Sequence, residues 1–259
     1  MSEIRCDKNE NGAIATVTLS NPGKLNALDV AMWQGLRSTF DSLSADHELR
    51  CVIVTGEGDN FAAGADIQEF ATVRNNLADG MRYHTVTIAQ ALHAISHCLH
   101  PTVAAIQGVC VGGGLEIACA CDIRIASPAS RFGIPINRLG FPLAPGELQG
   151  LLELVGKATA LEILLEGRVF DAAEARDKGL IHRIAADVAA EAQQSAARIA
   201  QGAPLAARMN KQLTRRLGVA VEPLTEQELK LAFTFLESQD YQEGISSFLK
   251  KIPPTFTGK

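Results

Sequence analysis

The chain has 259 residues, of which 47% are hydrophobic and 20% charged, so wholesale disorder is excluded and one main core with a small appendage is allowed. A net charge of −5 gives no general attraction for nucleic acid or an anionic membrane, and 5% aromatic residues are few for base-stacking platforms. Six cysteines, none in a C-x-x-C pair, argue against zinc ribbons and redox dithiols and are expected as buried reduced thiols.

In chain order, Met1 to Asn11 is polar with no apolar h-region, so no secretory signal is expected. No apolar run reaches the ~20 residues of a membrane span, and a cytoplasmic protein is the expectation. Ala13 to Leu19 alternates like a strand and is broken by Asn21-Pro22-Gly23. Asp29 is an N-cap candidate for a helix from Val30 to about Leu43, with Met32, Trp33, Leu36, Phe40 and Leu43 at helical spacing. Cys51 to Thr55 is a short buried strand, and a long helix is predicted from Asp79 to about Leu99, stopped by Pro101. Val103 to Ile106 is again a strand. Gly108 to Asp122 reads as turn and helix, returning to a strand at Ile123 to Ala126. Pro128, Pro135, Pro142 and Pro145 mark a segment that is mostly loop. Beyond it come helical periods at 146–155, 158–165, 172–178, 188–200, 205–217, 225–238 and 241–250. A β/α core over residues 1–195 and a helical C-terminal region over 196–259 are predicted.

Two segments carry more glycine than packing requires. Phe61 to Ile67 follows a strand and is expected to start a helix; Gly108 to Glu116 contains a triple glycine that opens another. Two helix starts with small residues can present backbone N–H groups to one anionic atom, as in an oxyanion hole or a phosphate nest. G-x-x-x-x-G-K-[ST], a strand-borne G-x-G-x-x-G and G-x-S-x-G are all absent. His93-x-x-x-His97 has metal-ligand spacing, but no Glu follows His93. With His84 and His100 it is read as a solvated helix face, and no metal site is expected.

Six ordered segments together resemble the enoyl-CoA hydratase/isomerase (crotonase) superfamily over nearly the whole chain. They are Asn21 to Leu28, Phe61 to Ile67, Gly108 to Asp122, Arg131 to Pro135 with Leu139-Gly140, Gly167-Arg168 with Ala172 to Leu180, and Phe248 to Phe256. The resemblance implies an α/β fold with a core of repeated β-β-α turns, two roughly perpendicular sheets and a helical trimerisation region. It implies an acyl-CoA thioester substrate of the kind met in fatty-acid metabolism, with coenzyme A part of the substrate and no separate cofactor. The thioester oxygen would lie between the N–H groups of Ala65 and Gly113, where an enolate-like oxyanion develops. CoA would run along Lys24, Ala27, Ala63, Asp66 and Ile67, with adenine on the backbone of the 63–67 strip and Lys24 suited to a phosphate. Phe248 and Lys251 match C-terminal positions that reach CoA, in some members from a neighbouring subunit.

The acid–base residues depart from that pattern. Hydratases of this type commonly use two glutamates. Glu116, two positions after the triple glycine, is the first; the second follows the Pro of an F-G-x-P-E pattern, which here reads Phe132-Gly133-Ile134-Pro135-Ile136. Isoleucine can neither deprotonate water nor supply a proton. Either Glu116 does both jobs, or a neighbour such as Glu147 or Asn137 replaces the missing group, or the reaction is not hydration. Glu147, one residue after Gly146, is read first as a carboxylate complementing a helix start. Arg138 is read as a structural ion-pair partner. Ile136 is placed in the acyl pocket, where it would raise the pKa of Glu116 by desolvation. Hydration of a 2-enoyl-CoA is the leading expectation. Double-bond isomerisation, decarboxylation, thioester hydrolysis and a non-catalytic CoA-binding homologue are the alternatives. A homotrimer or dimer of trimers is expected from the apolar Leu205, Met209, Leu213, Leu231, Phe233 and Phe235 of the C-terminal helices.

Overall fold

The computed structural model describes residues 1–218 and 225–257; residues 219–224 and 258–259, parts of the expected C-terminal region, lie outside them. The chain runs through β1 (Glu3–Lys8), β2 (Ile14–Ser20), α1 (Val30–Ala45), β3 (Cys51–Gly56), α2 (Phe70–Val73), α3 (Leu77–Arg82), α4 (Ala89–Ser96), β4 (Thr102–Ile106), β5 (Val109–Val111), α5 (Gly113–Ala120), β6 (Ile123–Ala126) and β7 (Arg131–Gly133). It continues through α6 (Pro145–Glu166), β8 (Phe170–Asp171), α7 (Ala172–Asp177), β9 (Arg183–Ile184), α8 (Val188–Gln201), α9 (Pro204–Leu217), α10 (Glu226–Ala232) and α11 (Gln239–Lys250). The larger sheet has the order β1-β2-β3-β4-β6-β9 and the smaller one β5-β7-β8. β1 pairs antiparallel with β2; from β2 to β9 the larger sheet is parallel.

The period-2 alternation of the parallel strands divides the core. Ala15, Val17, Leu19, Val52, Val54, Ala104 and Ile106 pack with the apolar face of α1 in the main core. Their alternates Ile14, Cys51, Ile53, Val103, Ala105 and Ile125 pack against Val188, Ala192 and Ala196 of α8. Strands covered on both faces read as near-continuous apolar runs, as Cys51 to Val54 does. Each fully buried large side chain of α1, such as Trp33 and Phe40, contributes about 2–3 kcal/mol of burial free energy. Asp29 caps α1 as predicted, its Oδ1 accepting from the Met32 N–H at 2.8 Å.

Several boundaries differ from the sequence-based expectations. Strand β1 lies in the polar N-terminal stretch; it is an edge strand with mostly exposed residues, so no alternation marks it. The helical stretch expected from Asp79 starts at Leu77, because Asn76 caps it by accepting from the Asp79 N–H at 2.9 Å. It widens to a π-helical turn over Tyr83–Ile88 and ends at Ser96 rather than Leu99. Residues 128–145 hold β7 and a 3₁₀ turn at Pro135–Leu139 within the expected loop. The two helical periods at 146–155 and 158–165 form one run, α6, kinked at Gly156, whose φ of 70° is left-handed. Cys51, Cys98, Cys110 and Cys121 are buried, and burial pushes the thiols of Cys51, Cys119 and Cys121 up to about 12, whereas Cys6 is exposed.

The C-terminal helices separate into two kinds. Phe233 is fully buried and packs on His84, while Phe235 stacks on Phe141 and meets Tyr241 edge-on inside the chain. Those two residues are therefore removed from the expected subunit surface. Leu205, Met209, Leu213 and Leu231 are exposed. Helix α9 faces its own domain with polar side chains: Arg208 donates to the His47 carbonyl at 2.7 Å, and Lys211 pairs with Asp122 at 2.6 Å. Its apolar stripe points away. Among the described residues no helix is long and apolar enough to cross a membrane.

Candidate active site

The glycine-rich segments meet at one place. A parallel bridge joins Leu28 to Ala65: the Leu28 N–H donates to the Gly64 carbonyl at 2.7 Å and the Asp66 N–H to the Leu28 carbonyl at 2.8 Å. Leu28 thereby engages the residues on either side of Ala65, and the Ala65 N–H points the other way. As expected, helical structure starts at the end of this segment: a 3₁₀ turn, Ile67–Glu69, capped by Asp66, runs directly into α2. Gly113 opens α5, so its N–H is one of the unpaired donors of a helix start. Gly112 reaches that start with φ of 49°, and its own N–H is bound to the Gly133 carbonyl at 2.9 Å. A Cβ on Gly64 would stand 3.4 Å from the Gly113 nitrogen, so the 64–65 and 112–113 backbones are direct neighbours. A Cβ on Gly113 would approach Trp33 Cζ2 to 2.9 Å, and one on Gly114 would run into the Ala62 carbonyl. The triple glycine is thus required by close packing on Trp33 and Ala62, as well as by the turn.

Glu116 occupies the first turn of α5 and is 8% exposed. Its carboxyl is held well above the usual carboxylate range, chiefly by burial and then by the charge of Glu147. The structure therefore brings together two carboxyls 31 positions apart. Glu147 is 6% exposed in the first turn of α6, and burial pushes it up to about 8 against the opposing field of Arg74. The simple dipole role expected for Glu147 does not fit a buried, raised carboxyl. Asn137, the other candidate, is exposed and donates to the Leu165 carbonyl at 2.9 Å, a structural anchor. Arg138 is exposed and makes no ion pair among the described residues, contrary to expectation. Ile136 is buried in the main core.

His84 completes the carboxyl cluster, and sequence reasoning missed it. Its Nδ1 lies 2.6 Å from Glu147 Oε1, both side chains being almost inaccessible. Burial and then the positive charge of Arg74 hold the imidazole well below its usual range, so the short contact is a hydrogen bond rather than an ion pair. The π-helical turn buries two successive residues, Tyr83 and His84, and turns of this kind are frequent at functional sites. His100, also expected to be solvated, is buried with Nε2 at 3.1 Å from the Leu43 carbonyl. Of these four histidines, His93 and His97 lie on an exposed face, stacked at 3.7 Å.

The expected CoA strip is partly assembled. Lys24, half-exposed, pairs with Asp66 at 2.6 Å and bonds Gln68 Oε1 at 3.0 Å. The Ala63 N–H donates to the Leu25 carbonyl at 3.0 Å, which ties the 24–27 turn to the 63–67 strip. Leu25 and Asn26 have left-handed φ values of 50° and 56°, held because the Asn26 amide donates to the carbonyls of Glu57 and Asn60. Phe248 and Lys251 are exposed at the end of α11, and no hydrogen bond or ion pair among the described residues joins them to that strip.

A family model for enoyl-CoA hydratase/isomerase matches residues 9–259. The chain is 35% identical over 250 residues to a Mycobacterium bovis protein called "Probable enoyl-CoA hydratase echA8", covering 94% of each chain. It is 32% identical over 262 residues to the 2,3-dehydroadipyl-CoA hydratase of Escherichia coli, covering 100% of each. Among solved structures it is similar to an enoyl-CoA hydratase/carnithine racemase from Magnetospirillum magneticum, with a TM-score of 0.82 and 44% identity over 100% of this chain and 97% of that one.

Proposed function

Because the chain belongs to the enoyl-CoA hydratase/isomerase family, an acyl-CoA-processing enzyme of crotonase-like α/β fold, we propose that it adds water to a 2-enoyl-CoA with Glu147 in place of the carboxyl lost at Ile136. The observation that carries this reading is a pair of buried carboxyls, both held above the usual carboxylate range, with the charge of Glu147 acting on Glu116. Two such groups sharing a proton supply an acid and a base at once. Glu147 feels the positive field of Arg74 and ionises first. As carboxylate it takes a proton from water, whose oxygen bonds to the β-carbon of the enoyl group. Glu116 gives its proton to the α-carbon. The negative charge that develops on the thioester oxygen is met by the Ala65 and Gly113 N–H groups, each good donor contributing roughly 3–4 kcal/mol to the transition state. Transfer of a proton from Glu147 to Glu116 restores the starting pair.

His84 fixes the Glu147 carboxyl through Nδ1. Lys24 takes a CoA phosphate, exchanging its Asp66 partner for it, and Ala27, Ala63, Asp66 and Ile67 line the nucleotide; Phe248 and Lys251 serve the CoA site of a neighbouring subunit. The outward apolar stripe of α9 supports a trimer or dimer of trimers. Hydration is tested with a panel of CoA esters including crotonyl-CoA. Wild type should hydrate the enoyl ester, and Glu116→Gln should lower turnover roughly 10²–10⁴-fold while retaining ester binding. Intact turnover in that variant removes Glu116 from the mechanism; isomerised or decarboxylated product in place of a 3-hydroxyacyl-CoA removes hydration.

A further inference from the structure

The most unusual group outside the carboxyl pair is Arg74. It follows α2, is 2% exposed, and none of its three guanidinium nitrogens has a hydrogen-bond partner among the described residues. Four rings surround it, with Cζ at 4.3 Å from the centroid of Phe70, 4.1 Å from Phe141, 5.5 Å from Phe235 and 5.1 Å from Tyr241. Aromatic faces attract a cation but leave its N–H edges unbonded. Buried cations are ordinarily paired, and a guanidinium almost never stays without an acceptor. Glu147, the carboxyl in its field, makes no hydrogen bond or ion pair with the guanidinium. Tyr241, Tyr83 and His84, which also face it, are neutral, burial raising the phenols and lowering the imidazole. The site therefore holds a buried guanidinium whose planar donor fork is unpaired, beside the proposed proton-transfer pair.

We propose that Arg74 receives a carboxylate at the far end of the acyl group, so that the preferred substrate is the CoA thioester of a dicarboxylic acid. The inference rests on the assignment of the Glu116–Glu147 region as the acyl site. A guanidinium matches a carboxylate bidentately, and one carboxylate cancels one buried charge. A neutral alkyl end would leave the cation unpaired in the closed complex. The rings around Arg74 exclude water and strengthen the pair. Arg74 thus selects the acyl group rather than taking part in proton transfer.

The test uses saturated esters, which cannot be hydrated, so its result does not depend on the reaction. Affinities for adipoyl-CoA and hexanoyl-CoA are measured by calorimetry, with succinyl/butyryl and suberoyl/octanoyl pairs alongside, for wild type, Arg74→Met and Arg74→Lys. In wild type at least one dicarboxylic ester should bind 10-fold or more tighter than its monocarboxylic partner. Arg74→Met should bring that ratio close to one, and Arg74→Lys should keep part of it. Melting of Arg74→Met at or above the wild-type temperature is expected, since an unpaired cation is replaced by an apolar chain of similar length. Equal affinities within every wild-type pair overturn the proposal, whether or not the variants fold, and so does a preference that survives in folded Arg74→Met. Failure of hydration with the ratio intact would instead strike only the assigned reaction.

Discussion

Replacing Glu147 by Gln separates catalysis from stability, because the two depend on its proton in opposite ways. The carboxyl stands at about 8 in the folded protein against an ordinary 4.5. A carboxyl raised in this way contributes its stability fully below about pH 4.5 and loses it as the pH rises to about 8, since the unfolded chain ionises freely while the folded one cannot. Between pH 5 and 9 this amounts to roughly 4 kcal/mol, at about 1.36 kcal/mol per tenfold difference in proton affinity. His84, held neutral, runs the other way: its contribution is complete above 6.5 and is lost as pH falls. It is present in both proteins and largely cancels. Urea unfolding of wild type and Glu147→Gln at pH 5, 7 and 9 should therefore show the variant gaining steadily on wild type. Hydration of crotonyl-CoA, followed by loss of the conjugated-thioester absorbance, should meanwhile fall roughly 10²–10⁴-fold, because Gln carries no transferable proton. A variant that loses stability equally at all three pH values would refute the raised, buried carboxyl. One that keeps wild-type turnover would refute its catalytic use.

The remaining tests concern the CoA strip and the assembly. Lys24→Met should raise KM for a CoA ester about 10-fold with little change in kcat, and leave unfolding within about 1 kcal/mol, because its partly exposed pair with Asp66 is weak; steady-state kinetics and urea melts check both. Leu213→Glu puts a charge in the outward apolar stripe of α9 and should shift an assembled protein toward monomer, read by light scattering; a wild type that is already a stable monomer removes the assembly from the proposal.

What was legible in the sequence followed the range over which its signals act. Asp29 and the five apolar residues after it announce α1 because an N-cap and its helix lie within one local pattern. The triple glycine announces a crowded turn, and its crowding partners are Trp33 and Ala62, far away in sequence. Glu116 is legible through the family resemblance, which implies a glutamate two positions after that turn. Glu147 was visible only as a nearby carboxyl, since its burial depends on α6 packing over the π-helical turn. His84 reads as solvated with its neighbours in the sequence, because its partner lies 63 residues away and the wider helical turn that buries it leaves no local mark. A lone arginine after Ala-Thr-Val is ordinary in the sequence, until three distant rings join Phe70 around it. Phe233 and Phe235 misled in the opposite sense: apolar residues in a terminal helix read as interface, yet stacking inside the chain consumes them.

The central claim, that Glu116 and Glu147 act as one proton-sharing unit, is tested most directly by kcat/KM for crotonyl-CoA hydration in wild type, Glu116→Gln, Glu147→Gln and the double variant. Residues that act as a unit lose little more together than apart. The double variant should fall within about 10-fold of the slower single variant. Losses that multiply, or a Glu147→Gln variant as fast as wild type, would contradict the pair.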